Sequence, residues 1–236
     1  MAETLSAEEL KRHKGLGCIR DKRGADTFSV RVPTGNGRLT SAQHRSLAEA
    51  AERFGEGALC LTTRLSFELQ GVPYANIEPL RDFLAENGFA PGGTGPKVRP
   101  IVACKGTVCP HGTIDTFGVS ERLHRRFYEG WHDTALPHKF KIAVGGCPNN
   151  CVKPDLNDFG VVGWRGGFRV YIGGRWGKAG AQGRPLSRII ASEEELTALL
   201  ERTLRYYQAS GLPGERFADT IARIGFETVE AALLGE

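Results

Sequence analysis

Two short runs decide the reading: Cys104-Lys105-Gly-Thr-Val-Cys109 and Gly146-Cys147-Pro-Asn149-Asn150-Cys151. Four of the six cysteines fall in these two close pairs, with helix-like sequence between them. Thiolates are natural ligands for soft metals and iron–sulfur clusters, and four of them complete a cubane. A structural zinc site competes, although such sites usually use C-x₂₋₄-C pairs. Two disulfides are a third reading. Spacing alone leaves iron–sulfur and zinc level and puts disulfides well behind.

Between the pairs lies Leu136-Pro-His138-Lys139-Phe-Lys141. Alternate positions of a strand face one side, so Lys139 and Lys141 are expected to stand together. Two like charges so placed repel unless an anion or solvent screens them. The run therefore reads as an anion-binding wall beside a metal site.

Composition sets the frame. At 236 residues, 40% hydrophobic and 25% charged, the chain is an ordinary globular one with room for one large or two modest domains. A net charge of +4 is too small to argue for nucleic acid. No apolar run approaches the ~18 residues that a membrane span needs. The start, Met1 to Lys14, is polar and helix-like, with Ser6-Ala-Glu-Glu9 fitting a capping box rather than a signal sequence. A cytoplasmic protein with reduced, metal-ligating thiols is expected.

Outward from the cysteines, Thr27 to Val32 alternates as a half-buried strand does, and Thr40-Ser-Ala-Gln43 can cap a helix to about Phe54. Ala58 to Val72 reads as two short strands meeting around Thr62-Thr-Arg64. Asn76 can cap a helix over Ile77–Glu86, closed by Asn87-Gly88. Ala90-Pro-Gly-Gly-Thr-Gly-Pro96 is the clearest break. Beyond it, Lys97–Ala103 is predicted as a strand leading into Cys104, Ile114–Tyr128 as a helix, and Phe140–Val144 as a strand. Phe159–Gly163 and Phe168–Ile172 follow as strands. Ser192-Glu-Glu-Glu195 opens a helix to about Gln208, and a last helix, Gly214–Ile224, precedes an amphipathic tail.

With both pairs in view, the sequence resembles the sulfite and nitrite reductase family. Leu61-Thr-Thr-Arg64-Leu-Ser-Phe-Glu-Leu-Gln70-Gly71 resembles its Thr-x-Arg-x-x-Phe-x-x-x-Gly strand, and Arg31-Val-Pro-Thr-Gly35 its upstream Arg-x-Pro-x-Gly. Lys139-Phe-Lys141 and the second cysteine pair match its most recognisable blocks. Phe168–Gly174 and Arg216–Gly225 resemble its closing strand and helix. The small single-copy members, similar to the siroheme subunit of anaerobic sulfite reductases, are the nearest type. Two departures stand out. Only four residues separate Cys104 from Cys109 where many members have five, and the second copy of the unit found in larger relatives is missing.

The resemblance implies an α+β chain: an N-terminal helical lead (1–22), a ferredoxin-like half-domain (23–90), and a mixed α/β siroheme and [4Fe–4S] domain (97–236). It implies that Cys104, Cys109, Cys147 and Cys151 hold the cluster and that Cys151 also bridges to the siroheme iron. Arg31, Arg99, Lys139 and Lys141 go to the substrate side; Arg64, Gln70, Lys105, Asn149 and Asn150 go to siroheme. The implied activity is six-electron reduction of sulfite to sulfide. Nitrite reduction to ammonia and a non-catalytic siroheme or iron–sulfur electron-transfer subunit are the alternatives, and a zinc-stabilised binding domain is a further class.

No flavin or nicotinamide motif is present, so electrons are expected from an external donor, a ferredoxin-like protein or a reductase subunit. The chain is expected to be a homo-oligomer or one subunit of a complex, without nucleic-acid or membrane partners. Arg122, Arg125 and Arg126 read as surface charges, Cys18 and Cys60 as structural thiols, and the three tryptophans as packing residues. His111 and His138 lie near the motifs, with core or surface roles outranking proton relay.

Overall fold

Ser6 opens the first helix by the expected reciprocal box. Its hydroxyl accepts from the Glu9 N–H while the Glu9 carboxylate accepts from Ser6 N, and α1 runs Ala7–Gly15. The computed structural model describes residues 5–24 and 26–235; positions 1–4, 25 and 236 of the expected segments lie outside the described residues. The chain forms two compact units, 1–95 and 96–236.

In the first unit, β1 (Cys18–Arg20), β2 (Thr27–Pro33), β3 (Leu59–Leu61) and β4 (Ser66–Pro73) make an antiparallel sheet of order β1-β2-β4-β3. Burial in β2 alternates, with Phe28, Val30 and Val32 inside, as a strand with one face on a core requires. α2 (Ser41–Phe54) begins at the Thr40–Gln43 box and adds Leu47, Ala50 and Ala51 to that core; α3 (Ile77–Glu86) adds Ile77, Leu80 and Leu84. Asn76 is not the expected side-chain cap of α3. A 3₁₀ turn, Tyr74–Asn76, leads into the helix, and the Asn76 amide instead donates to Phe54 O at 3.1 Å.

In the second unit β5 (Val102–Ala103), β6 (Ile142–Gly145) and β7 (Phe159–Trp164) are parallel neighbours. β8 (Gly167–Ile172) and β9 (Arg184–Pro185) extend the sheet antiparallel, in order β5-β6-β7-β8-β9. Every residue of β6 is buried, as a parallel strand covered on both faces should be. α4 (Thr116–Leu123) crosses from β5 to β6. α5 (Glu193–Ser210) buries Leu196, Leu199, Leu200, Thr203, Leu204 and Tyr207, the stripe of a 3.6-residue period. α6 (Phe217–Ile224) and α7 (Phe226–Leu234) complete the unit, so the expected tail is a helix whose Phe226, Val229, Leu233 and Leu234 join the core.

Three segments differ from expectation. Lys97–Ala103 is not one strand, because Pro100 has no N–H to pair; Val98 makes a single bridge to Phe140 before β5 begins. The helix expected to Tyr128 loses α-geometry at Leu123 and continues as a π-helical turn, His124–Glu129, an insertion that apolar spacing does not reveal. Lys139 and Lys141 precede β6 and flank the buried Phe140. No helix among the described residues is long and apolar enough to cross a membrane.

Candidate active site

Parallel pairing brings the cysteine runs together. Ala103 lies opposite Val144 in neighbouring strands, so the chain leaves β5 and β6 at one end of the sheet, the usual place for sites in α/β sheets. Cys104 follows β5 directly and Cys147 comes two residues after β6. Cys104 N donates to Val144 O at 3.1 Å, and Gly146 N donates to the Cys104 Sγ at 3.1 Å. A backbone N–H aimed at sulfur tunes a metal bound there.

Three threonines, which the sequence reading missed, lock these loops. Thr113 gives its N–H and its hydroxyl to Gly146 O at 2.9 and 3.0 Å. The Thr116 hydroxyl donates to Cys104 O at 2.7 Å and accepts from Thr107 N at 3.1 Å. Thr107 in turn donates to Asp115, the cap of α4, at 2.8 Å. Bonds from Gly118 N and Thr107 hold that carboxyl below its usual range. The signal was three threonines, one inside the first cysteine pair, one after it and one opening α4. Gly106 and Gly146 pass so closely that a Cβ on either would meet the other's Cα at 2.8 Å; only glycine allows that approach.

The second pair sits on a loop with two left-handed residues, Asn150 (φ 58°) and Lys153 (φ 49°). Asn150 Nδ2 donates to Asp155 Oδ1 at 2.8 Å, so its amide is engaged within the loop. Asp155 also accepts from Gln182 Nε2 at 3.1 Å, and its carbonyl from Gly183 N at 2.7 Å. Asn149 and Cys151 are exposed; Cys104, Cys109 and Cys147 are half-buried.

All six cysteines are free thiols. Cys18 is a core residue, its thiol pushed up to about 11 by burial. Cys60 lies exposed on the edge strand β3, not in the core. Among the described residues no three His, Cys, Asp or Glu side chains already stand as a metal-binding group. The case for a cluster rests on the donor set: four free thiols on facing loops, an N–H on one sulfur, and a glycine-only approach between the loops. These fit a cluster held by four thiolates.

The basic residues divide between the units. In the second, Lys139 and Lys141 flank Phe140, whose N donates to Lys97 O while Arg99 N donates to Phe140 O, at 3.0 and 2.8 Å. This bridge sets Arg99 beside the lysine run. Burial, then the nearby Arg216 and Arg99, hold the Lys139 ammonium below its ordinary range. His138, whose Nδ1 accepts from Lys139 N at 2.7 Å, is lowered by burial and by Lys139, Arg216 and Arg99. Lys105 is exposed at the start of the turn before Cys109.

In the first unit, Arg31 stands opposite Glu68 in the sheet and binds its carboxylate through Nε and Nη2 at 2.8 and 2.6 Å, with Nη1 donating to Gly93 O. Arg64 occupies the turn between β3 and β4, next to Leu65 at φ 54°, and Gln70 lies half-buried in β4. Arg122, Arg125 and Arg126 are exposed and paired with Glu193, Glu121 and Glu201. His111 is exposed. Trp176 is 60% exposed under the Lys153 ammonium, so it is not the packing residue expected.

An α+β chain with a four-cysteine donor set at parallel strand ends is the build of an iron–sulfur oxidoreductase domain. Residues 94–236 match the family model described as the nitrite and sulphite reductase 4Fe-4S domain, and residues 20–87 match the nitrite/sulfite reductase ferredoxin-like half domain. The chain belongs to the nitrite and sulfite reductase family.

Among curated relatives, the nitrite reductase (NAD(P)H) of Bacillus subtilis is 31% identical over 88% of this chain and 25% of its own length. The coenzyme F420-dependent sulfite reductase of Methanocaldococcus jannaschii is 33% identical over 60% of this chain and 22% of its own. An anaerobic sulfite reductase subunit of Salmonella typhimurium is 32% identical over 60% and 44%. The chain thus spans less than half the length of each. The same fold is seen in dissimilatory sulfite reductase I (TM-score 0.79, 18% identity, 89% of this chain and 69% of that one). It recurs in the Mycobacterium tuberculosis NirA protein (TM-score 0.83, 17% identity, 98% and 48%).

Proposed function

We propose that this chain is a siroheme-dependent sulfite reductase that carries out the six-electron reduction of sulfite to sulfide with electrons from an external donor. The observation that supports this most is the meeting of the two cysteine loops at the end of β5 and β6, with the Lys139–Lys141 run feeding the second strand. On this reading Cys104, Cys109, Cys147 and Cys151 hold a [4Fe–4S] cluster, and Cys151, the exposed member, faces siroheme as well. The bound pair supplies electrons and an iron site for the oxyanion. The chain's own residues bind the anion, hold it and deliver protons as its oxygens leave as water.

Arg99, Lys139 and Lys141 form the anion wall in the second unit. A guanidinium suits a planar oxyanion; an ammonium is a compact charge that can also pass on a proton. A lowered proton affinity makes the Lys139 ammonium a readier proton donor than an ordinary lysine. Arg31, in the half-domain (23–90), is assigned to the substrate side, and Arg64, Gln70, Lys105, Asn149 and Asn150 to siroheme, the last three of these lying in the cluster domain (97–236). The first 22 residues serve as a lead. The chain works in the cytoplasm, as a homo-oligomer or within a complex, beside a ferredoxin-like donor or a reductase subunit.

Nitrite reduction to ammonia is the second reading, favoured by the Bacillus subtilis nitrite reductase match over 88% of the chain. The test is an absorption spectrum of anaerobically purified protein, with iron and acid-labile sulfide assayed on the same sample and turnover measured with a reduced dye. A siroheme spectrum, a four-iron cluster and faster sulfite than nitrite consumption is the expected result. Zinc with no chromophore overturns the reading. A loaded protein without turnover makes it a carrier.

A further inference from the structure

Asp158 is the most enclosed charge in the second unit. It is wholly buried, one residue before β7. Its Oδ2 accepts from Lys141 N at 2.8 Å and from Arg216 Nη2 at 2.8 Å, and its Oδ1 from the same Nη2 at 3.0 Å. The next residue, Phe159, donates its N–H to Lys141 O at 3.1 Å. Lys141 is therefore gripped at both backbone groups by two consecutive residues. The partner, Arg216, is 7% exposed at the start of α6, makes no side-chain cap, and leaves its buried Nε without a hydrogen bond.

A buried ion pair could serve only to staple α6 to the sheet, since such pairs are weak evidence of anything more. Two observations point further. The carboxylate reaches past its partner to the backbone of an anion-wall residue. Arg216 also contributes to the field at Lys139 and at His138, ahead of Arg99 in both. The groups facing Lys139 are thus Arg216 from α6, Arg99 from the bridged segment, His138 next to it, and the opposing Asp158.

We propose that Asp158 and Arg216 are positioning residues for the basic wall: Asp158 fixes Lys141, and the Asp158–Arg216 pair sets the charge that Lys139 and an incoming anion meet. This rests on the reading of Lys139 and Lys141 as anion-facing. The pair works as a balance, Arg216 strengthening the positive field and Asp158 tempering it.

The test follows the titration of Lys139, by ¹³C-methyl NMR of the dimethylated full chain with Lys139→Arg for assignment, in Asp158→Asn, Arg216→Gln and the double variant. Asp158→Asn keeps an acceptor for Lys141 N and removes the negative charge, so Lys139 titrates lower. Arg216→Gln removes the larger repulsion, so Lys139 titrates higher. The double variant, which leaves no lone buried charge if a single one fails to fold, also titrates higher. Folded variants in which Lys139 does not move reduce the pair to a staple and overturn the proposal. If the chain proves not to turn over sulfite or nitrite, the titration still reads the pair. With the loaded enzyme, the alkaline limb of the pH–rate profile, where an ammonium donor is lost, shifts in the same sense as Lys139.

Discussion

Gly146 donates its backbone N–H to the sulfur of Cys104, 42 residues earlier in the chain, at 3.1 Å. One hydrogen bond thus joins the loop of the first cysteine pair to the loop of the second, and its donor is also the residue that passes within a Cβ's reach of Gly106.

Gly146→Ala tests that closeness. Its methyl would meet Gly106 Cα at 2.8 Å, and overpacking of this kind costs about 1–3 kcal/mol. The variant melts lower than the parent and binds less than a full complement of iron, read by differential scanning calorimetry and iron assay.

Replacing Lys139 and Lys141 together by Ala separates cofactor binding from anion binding. The siroheme and cluster absorption stays at parent intensity while sulfite turnover falls roughly 100-fold or more, the scale of losing charge-stabilising donors. Normal turnover in the double variant removes these lysines from the substrate site.

Asp155→Ala frees both Asn150 and Gln182, whose amides it accepts at 2.8 and 3.1 Å. Two lost hydrogen bonds on a half-exposed loop cost about 1–2 kcal/mol. The effect is local: hydrogen exchange quickens across 147–157 and 177–183, while α5 keeps its protection.

His124 governs an acid limb of stability. Burial depresses it from 6.5 to about 4, and Glu129, 3.8 Å away but exposed, is screened by water and does not offset this. The unfolded chain takes up the proton first, so stability is full above pH 6.5 and falls as pH drops toward 4, by about 3 kcal/mol in all. His124→Phe, which can keep the ring contact with Tyr128, flattens that part of the curve in urea unfolding at pH 7 and pH 4.5.

Much of this was readable in the chain because it is local. The Ser6–Glu9 and Thr40–Gln43 boxes need only residues three apart, and both form. The Ser192 signal is half right: Ser192 accepts from Glu195 N, but the Glu195 carboxylate turns to Ala191 N and Arg188. Asn76 failed because a carbonyl 22 residues away claimed its amide. The cysteine spacing marked a donor set, yet the threonine ties and the Asp158–Arg216 pair left only weak local marks. Asp158 and Arg216 are 58 residues apart, and nothing periodic links them. The one hint was an acidic residue set directly before the apolar run Phe159-Gly-Val-Val162.

The cysteines proposed to hold the cluster all lie outside the apolar core of the second unit, which draws its members from Val98 through Leu234. On this arrangement the apolar packing of the unit includes none of the proposed ligands, so loading of a cluster is expected to be separable from folding.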